Sequence, residues 1–175
     1  MEPLNSPIAA VMAGILLTSL AVFPVDPGHA TDFLRAHVPS VISPLPAASV
    51  IQRSFRAPLT AYGAGHRGID LLATDGAPLV SPVDGNVNFS GLVALKPEVT
   101  VAAPDGLRFT VEPACGFLPP GTRVHQGAPL GVVCANGYPS HCSPAVCLHF
   151  SARNQAGYLS PLWFMGQQSI SRLVS

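Results

Sequence analysis

Two short motifs, far apart in the chain, carry the side chains best suited to chemistry. In the first, GHRGIDL at 65–71, Asp70 follows His66 by four residues. Glycines within the motif allow a bent backbone, which can bring an imidazole and a carboxylate to one centre. This pair of donors is one that zinc accepts. Because such a spacing is common by chance, the prediction of a metal site depends on a third donor.

The second motif, CLHF at 147–150, offers that donor. Residues two apart in a β-strand share a face, so Cys147 and His149 point together while the leucine and phenylalanine enter the opposite layer. His66, Asp70 and His149 would then form a set of two histidines and one carboxylate with an open fourth position. That arrangement is typical of catalytic zinc, which lowers the pKa of a bound water towards 7 and polarises a carbonyl group.

The stretch between the motifs has the pattern of an antiparallel all-β domain. Three Asp-Gly pairs, at 75–76, 84–85 and 105–106, suit tight turns with positive φ. Apolar runs of strand length recur about every ten residues, which favours a β-sandwich or barrel. No long helix is predicted after Val38. The predicted strands include 79–82, 86–93, 99–103, 107–112, 130–134 and 147–153.

Composition limits the classes of protein that the chain can be. It has 175 residues, only 10% of them charged, and a formal net charge of +0. A nucleic-acid-binding surface needs an excess of basic residues, so nucleic acid is excluded as a partner. The length suits one domain with appendages, and a hydrophobic fraction of 48% excludes a disordered chain.

The N-terminal segment 1–30 is predicted to be a signal peptide or a membrane anchor. Its residues 8–25 carry no charge, and small residues at 28–30 suit a cleavage site. A retained segment would tether the chain to a membrane, and a buried helix of the domain is the third alternative. The leader carries Glu2 and no lysine or arginine, unlike a typical signal peptide. We divide the rest into a Pro-containing connector (31–57), the β domain (58–165) and a C-terminal tail (166–175), in a secreted or cell-envelope protein.

Cysteine usage agrees with export. Four cysteines, an even number, all lie in the last third of the chain. Three pairings are open, of which Cys115 with Cys134 and Cys142 with Cys147 closes the shortest loops. A four-cysteine zinc site is the alternative, although the sequence lacks the paired C-x-x-C units of such sites.

Five segments together resemble the LytM/lysostaphin-type zinc metallopeptidases, peptidase family M23. They are GHRGIDL, GAPLVSPVDGNV (76–87), GAPLG (127–131), CLHF and YLSPL (158–162), spread across about 55–163. The resemblance implies a duplicated hybrid motif fold, export, a Zn2+ cofactor held by His66, Asp70 and His149, and hydrolysis of stem or cross-link peptides of peptidoglycan through a metal-activated water.

The chain departs from this family at residues that handle protons. The family has His-x-His where this chain has Cys-Leu-His, so Cys147 replaces one catalytic histidine, and the resemblance places another at Ala103 and a tyrosine at Val111. His141 is a candidate replacement base, and a reduced Cys147 is a candidate fourth ligand. Two hypotheses follow. The chain is a zinc metalloendopeptidase, or it is a degenerate domain that binds the cell wall or regulates a partner wall hydrolase.

Overall fold

The alternating apolar and polar runs form two antiparallel sheets in the computed structural model, which describes residues 41–60, 62–135 and 142–166. The described elements are β1 (Ile51–Arg53), β2 (Ile69–Ala73), β3 (Pro78–Val80), β4 (Gly85–Val93), β5 (Lys96–Ala102), β6 (Arg108–Glu112), β7 (Ala114–Gly116), β8 (Arg123–Val124), β9 (Pro129–Val133), β10 (Val146–Asn154), β11 (Gly157–Leu159) and α1 (Pro161–Phe164). The larger sheet has the order β1-β2-β10-β6-β5-β4-β8, with β11 on β10, and the smaller has the order β3-β9-β7. The predicted antiparallel all-β fold is confirmed.

The larger sheet has one apolar and one polar face, as strand alternation requires. On the apolar face, Phe109 of β6 and Phe150 of β10 are buried and their rings stack at a centroid distance of 6.1 Å. Phe164 of α1 closes this core edge-on against Phe109, with centroids 5.8 Å apart. The opposite face carries the polar residues of the same strands. Because the apolar residues pack into the core, these polar side chains are the ones available to form a site. Other fully buried members of the core include Ile69, Val99, Val101 and Leu148.

Two of the three Asp-Gly turns behave as predicted. Gly76 and Gly106 have φ values of 75° and 88°, which glycine adopts without strain. Gly85 differs, since it is not among the residues with positive φ and instead begins β4. A Cβ at Gly85 would collide with the carbonyl oxygen of Ala102 on the neighbouring strand. This glycine is needed for close strand packing rather than for a turn.

The described part of the predicted connector, residues 41–57, packs onto the β domain. Val41 and Leu45 are buried in the core, and β1 pairs with β2. The amide of Ile42 also donates to the carbonyl of Pro82, at 3.1 Å. These residues are therefore part of the packed unit, while the start of the domain at residue 58 and the division into four segments stay predictions.

The segment 1–30 lies outside the described residues, as does residue 167 onward of the predicted tail. Within the part of the chain that the structure describes, none of the helices has the length and apolar character needed to cross a membrane.

All four cysteines are paired in the predicted adjacent pattern. One disulfide joins Cys115 of β7 to Cys134 beyond the end of β9, and the other joins Cys142 to Cys147 of β10. With no free cysteine, the four-cysteine zinc site and the Cys147 thiolate ligand are both wrong for this structure. Each bond is expected to stabilise the domain by roughly 2 to 4 kcal/mol.

The stacked phenylalanines are the central packing contact, which gives a first prediction. Phe150→Ala should lower the free energy of unfolding by about 3 to 5 kcal/mol, because it leaves a cavity beside Phe109. Chemical denaturation with fluorescence or circular dichroism measures the change. Leu59→Ala is the control, since Leu59 is 99% exposed and its truncation should cost less than about 0.5 kcal/mol. Equal losses in the two variants would contradict this account of the core.

Candidate metal centre

The pairing of β2 with β10 brings two of the three predicted donors together. Asp70 and His149 are cross-strand partners, so their side chains emerge side by side on the same face of the sheet. His66 precedes β2 and is held by a reciprocal backbone bridge to Arg56, with N–O distances of 2.8 and 2.9 Å. The imidazole of His66 thereby extends from the loop before β2 to the side chains of Asp70 and His149.

The three donor atoms form a tight triangle. His66 Nε2 lies 3.0 Å from Asp70 Oδ1 and 3.2 Å from His149 Nδ1. His149 Nδ1 lies 2.8 Å from Asp70 Oδ1. His66 and Asp70 are buried, whereas His149 is partly exposed towards solvent. The sequence-predicted ligand set is thus assembled, with one side open.

The chemistry of these donors fits a zinc ion. His66 must donate from Nδ1 to the carbonyl oxygen of Ser54, at 2.8 Å, because a carbonyl only accepts. In the neutral ring this leaves the Nε2 lone pair directed at Asp70 and His149, and the Ser54 contact orients the ring as outer contacts orient metal-ligating histidines. Donors about 2.0 to 2.1 Å from a tetrahedral zinc are about 3.3 Å apart, close to the observed separations.

The two imidazoles also set the charge of the carboxyl group. Burial acts to raise the pKa of Asp70, but the hydrogen bond to His149 and the electrostatic attraction of both imidazoles together outweigh it. The pKa of Asp70 therefore lies below its ordinary value. The carboxylate form, which a metal requires, is the favoured one.

Gly68 makes room for the ring of His149. A Cβ at this position would lie 2.7 Å from His149 Nε2 and would also collide with the carbonyl oxygen of Phe150. Neither obstacle is flexible, because one is backbone and the other is a ring held at Asp70. The glycine predicted to allow a bent backbone therefore has a steric role as well.

A charged cleft of about 580 Å³ extends from His149 along the polar face of the sheet. Glu112 is the cross-strand partner of His149 on β6. Val99 of β5 pairs with Val111 of β6, which brings Glu98 beside Glu112 on the polar face. The acidic row therefore runs from the candidate centre across the next two strands. Other residues lining the cleft include Arg67, Thr100, Thr110, Ser151, Arg153 and Tyr158.

Sequence reasoning missed Glu98 and Glu112, although a signal for them existed. Both occupy polar positions in runs that alternate between polar and apolar residues, EVTVA (98–102) and RFTVE (108–112). That alternation predicts which residues share the polar face. It does not predict that β5 and β6 lie next to β10, which is what joins the two glutamates to the site.

The two glutamates influence each other's protonation. Burial and the hydrogen-bonded, negatively charged Glu112 raise the pKa of Glu98 to about 7, against weaker opposing effects of Lys96 and Arg153. For Glu112, burial acts in the same direction, but the hydrogen bond to Glu98 and the charge of Lys96 outweigh it and lower its pKa. Lys96 Nζ is 3.2 Å from Glu112 Oε1.

The remaining sequence candidates lie elsewhere. Ala103 follows β5 on the core face, five residues and about 17 Å of strand from Glu98. Val111 is likewise buried in the core. The expectation that Ala103 marks a histidine lost from the cleft is therefore wrong, because its side chain points away from it. Cys147 is buried in its disulfide, and His141 lies outside the described residues.

Sequence comparisons find relatives of the chain in mycobacteria. No family model matches the chain. Uncharacterized proteins of Mycobacterium bovis and Mycobacterium tuberculosis are 32% identical to it over 152 residues, covering 85% of this chain and 58% of theirs. The chain thus spans less than two thirds of the length of these curated relatives.

Three solved structures superpose on most of the domain. The catalytic domain of the antimicrobial peptidase lysostaphin from Staphylococcus simulans gives a TM-score of 0.57 at 19% identity, covering 67% of this chain and 92% of that one. A zinc containing peptidase from Vibrio cholerae gives 0.54 at 19%, covering 66% and 37%. The SpoIIQ-SpoIIIAH pore forming complex gives 0.58 at 17%, covering 79% and 100%. The chain shares the fold of lysostaphin-type, M23 peptidase domains.

The raised pKa of Glu98 predicts how stability depends on pH. The folded chain keeps a proton on Glu98 that the unfolded chain loses above about 4.5, so this proton stabilises the fold at low pH. That stabilisation is lost as pH rises through about 7. Glu98→Gln should therefore gain thermal stability relative to the unmodified chain at pH 8 and lose this advantage at pH 5, measured by calorimetry.

Asp84→Asn serves as the control for this pH series. Asp84 is exposed, and its pKa is lowered by the backbone amide of Gln126 and by His125. Its substitution should therefore remove a stabilisation that is constant between pH 5 and pH 8 and that changes with pH only in the acid range. Parallel pH curves for Glu98→Gln and the unmodified chain would contradict the assignment of the proton to Glu98.

Proposed function

We propose that the chain is an exported zinc metalloendopeptidase of the LytM/lysostaphin type, acting on peptide bonds of peptidoglycan stems or cross-links. The observation that carries this proposal is the triangle of His66 Nε2, Asp70 Oδ1 and His149 Nδ1, all within 3.2 Å of one another. The triangle opens on a cleft in a fold that the chain shares with the catalytic domain of lysostaphin.

Each donor residue has a defined part in holding the ion. His66 would bind through Nε2, Asp70 through its carboxylate and His149 through Nδ1. Bound Zn2+ would supply a Lewis acid and an activated water for attack on a carbonyl group. The Ser54 carbonyl keeps the His66 ring oriented, and Gly68 keeps space for the His149 ring.

The cleft suits an extended peptide better than an apolar ligand. Its walls combine hydroxyl groups, carboxyls and guanidinium groups, which match the amides and charged ends of short peptides. Thr100 and Thr110 are joined by a hydrogen bond of 2.7 Å between their hydroxyls. Arg67 lies over the ring of Tyr158, with Cζ 5.9 Å from the ring centroid, and both residues line the cleft.

An extracytoplasmic location fits the covalent structure. Both disulfides would be reduced in an ordinary cytoplasm, whereas they persist outside it. The predicted N-terminal signal or anchor supports the same location.

One observation favours a second candidate, a non-catalytic domain that binds the cell wall or regulates a partner wall hydrolase. Cys147 stands where the family has a histidine, and its sulfur is committed to Cys142. Among the described histidines, only His66 and His149 reach the candidate centre, and both are used as donors. A chain of the SpoIIQ-SpoIIIAH pore forming complex shares the fold. The fold therefore also occurs in an assembly that forms a pore.

Metal analysis combined with digestion of purified peptidoglycan separates the candidates. The purified full chain should bind one equivalent of zinc and release new amino termini from peptidoglycan. His149→Ala and His66→Ala should lose both properties, because two donors cannot replace three. Zinc bound without release of peptides would favour the non-catalytic candidate. A chain that binds no zinc would overturn the ligand assignment.

His125→Ala is the matched control for the two ligand variants. His125 is also a histidine beside a carboxylate, with Nδ1 3.4 Å from Asp84 Oδ1, but its side chain is 81% exposed and outside the cleft. This variant should keep the zinc content and the activity of the unmodified chain. A loss of zinc in it would point to general damage by histidine removal.

The packing of Gly68 gives a separate prediction about the geometry of the ion. Gly68→Ala should weaken zinc affinity by about 10- to 100-fold, because the methyl group displaces the His149 ring. Gly106→Ala is the control, since it adds strain at a φ of 88° but meets no neighbouring atom. Competition with a chelating dye measures both affinities, and equal losses would exclude a steric role for Gly68.

A further inference from the structure

Two arginines stand opposite each other on the polar face of the larger sheet. Arg153 of β10 and Arg108 of β6 are direct cross-strand partners. Both are exposed on the polar face, because their neighbours Ala152 and Phe109 occupy the core face. Like charges directly opposite each other on one face of an antiparallel pair are destabilising. The register of the fold therefore holds two guanidinium groups where they repel one another.

No carboxylate of the described residues neutralises this pair. The ion pairs within residues 41–60, 62–135 and 142–166 use Lys96 and histidines instead of these two guanidinium groups. The charge of Arg153 also acts on Glu98, where it favours the ionised form, but the two side chains form no ion pair. A ligand that brings a negative charge would relieve the repulsion.

An aromatic ring and a third arginine continue the row. On its other side, Arg153 pairs with Tyr158 of β11. Arg67 lies over that ring, with Cζ 5.9 Å from the ring centroid. Arg67, Arg153 and Tyr158 all line the cleft that contains His149. Three of the nine lysines and arginines of the chain therefore gather around this part of the sheet.

Strand geometry gives the distance from the candidate centre to the arginine pair. Arg153 follows His149 by four residues on the same face of β10. At a rise of about 3.3 Å per residue, the two positions are about 13 Å apart. The cross-strand partners Ser151 and Thr110 lie between them, and Glu112 is opposite His149. The cleft therefore changes from a carboxyl group beside His149, through hydroxyl groups, to guanidinium groups.

We propose that Arg108 and Arg153 form an anion subsite that binds a carboxylate of the peptide substrate, about 13 Å from the candidate metal centre. This inference rests on the proposed function and names a substrate class for it. The class is peptides that carry a free carboxylate roughly four extended residues from the cleaved bond. Guanidinium groups suit this ligand, because their planar donors match the two oxygens of a carboxylate.

Binding can be measured without turnover in the full metal-free chain. The probe is a tetraalanine peptide with a blocked amino terminus, because four extended residues span about 13 Å. Its free C-terminal carboxylate should shift the 15N Nε signals of Arg108 and Arg153, which are identified by their loss in Arg108→Gln and Arg153→Gln. The same peptide with a C-terminal amide should leave both signals in place. Equal shifts with the two peptides, or no shift with either, would overturn the subsite.

Inorganic phosphate tests the other anion that arginine commonly binds. The carboxylate peptide should shift the two signals at lower concentrations than phosphate does, because its backbone also meets the hydroxyl groups of the cleft. Phosphate that acts at lower concentrations than the peptide would assign the pair to a phosphate ion and overturn the inference.

Kinetics test the substrate class in the zinc-bound chain. The substrates are peptide fragments of purified peptidoglycan, before and after their free carboxyl groups are converted to amides. For the unmodified chain, amidation should raise KM by about 5- to 10-fold with little change in kcat, because the subsite lies away from the reacting atoms. Arg153→Gln should raise KM for the free acids to the same extent and should abolish the effect of amidation. Arg123→Gln is the control, since Arg123 is exposed on β8 and does not line the cleft. It should leave both KM values unchanged.

The outcomes separate this inference from the proposed function. A zinc-bound chain that cleaves both forms of the fragments with equal KM would overturn the subsite and leave the peptidase intact. A chain that binds the carboxylate peptide through both arginines but releases no peptide would overturn the peptidase and support the subsite in the non-catalytic candidate. Zinc content measured in each variant ensures that a change in KM is not a loss of metal.

Discussion

The pairing of β2 with β10 is the contact on which the rest of the site depends. It sets Asp70 directly opposite His149 and commits the intervening apolar residues to the core. A shift of one residue would turn Asp70 into the core and Ile69 towards solvent. The buried carboxylate and the buried apolar side chains thus enforce the same register. His66 then needs only the short loop before β2 to complete the triangle.

The same register organises the charged cleft. Because β6 follows β10 and β5 follows β6 in the sheet, the polar face presents an ordered row of carboxyl groups beside the imidazoles. Lys96 and Arg153 moderate the negative charge of this row, while burial and the neighbouring Glu112 raise the pKa of Glu98 to about 7. The chain carries few charges, and the sheet brings several of them to one wall. Low overall charge is therefore compatible with a strongly polar site.

The Cys142–Cys147 disulfide gives covalent support to the chain near the candidate centre. Cys147 lies two residues before His149 on β10 and is buried, so the bond secures the beginning of the strand that carries the third donor. A histidine there would offer a ring to the cleft, whereas the disulfide offers none.

Sequence by itself determined the donor types, the strand alternation and the all-β class. These features are local, because the face of a strand residue follows from its phase alone. The CLHF and GHRGIDL motifs therefore identify the three candidate donors, and the structure brings them together. Only the tertiary structure decided that Glu112 lies beside His149 and that Glu98 lies one strand further along the same face. Those facts depend on which strands are neighbours and in what register, and that is settled by packing between distant parts of the chain.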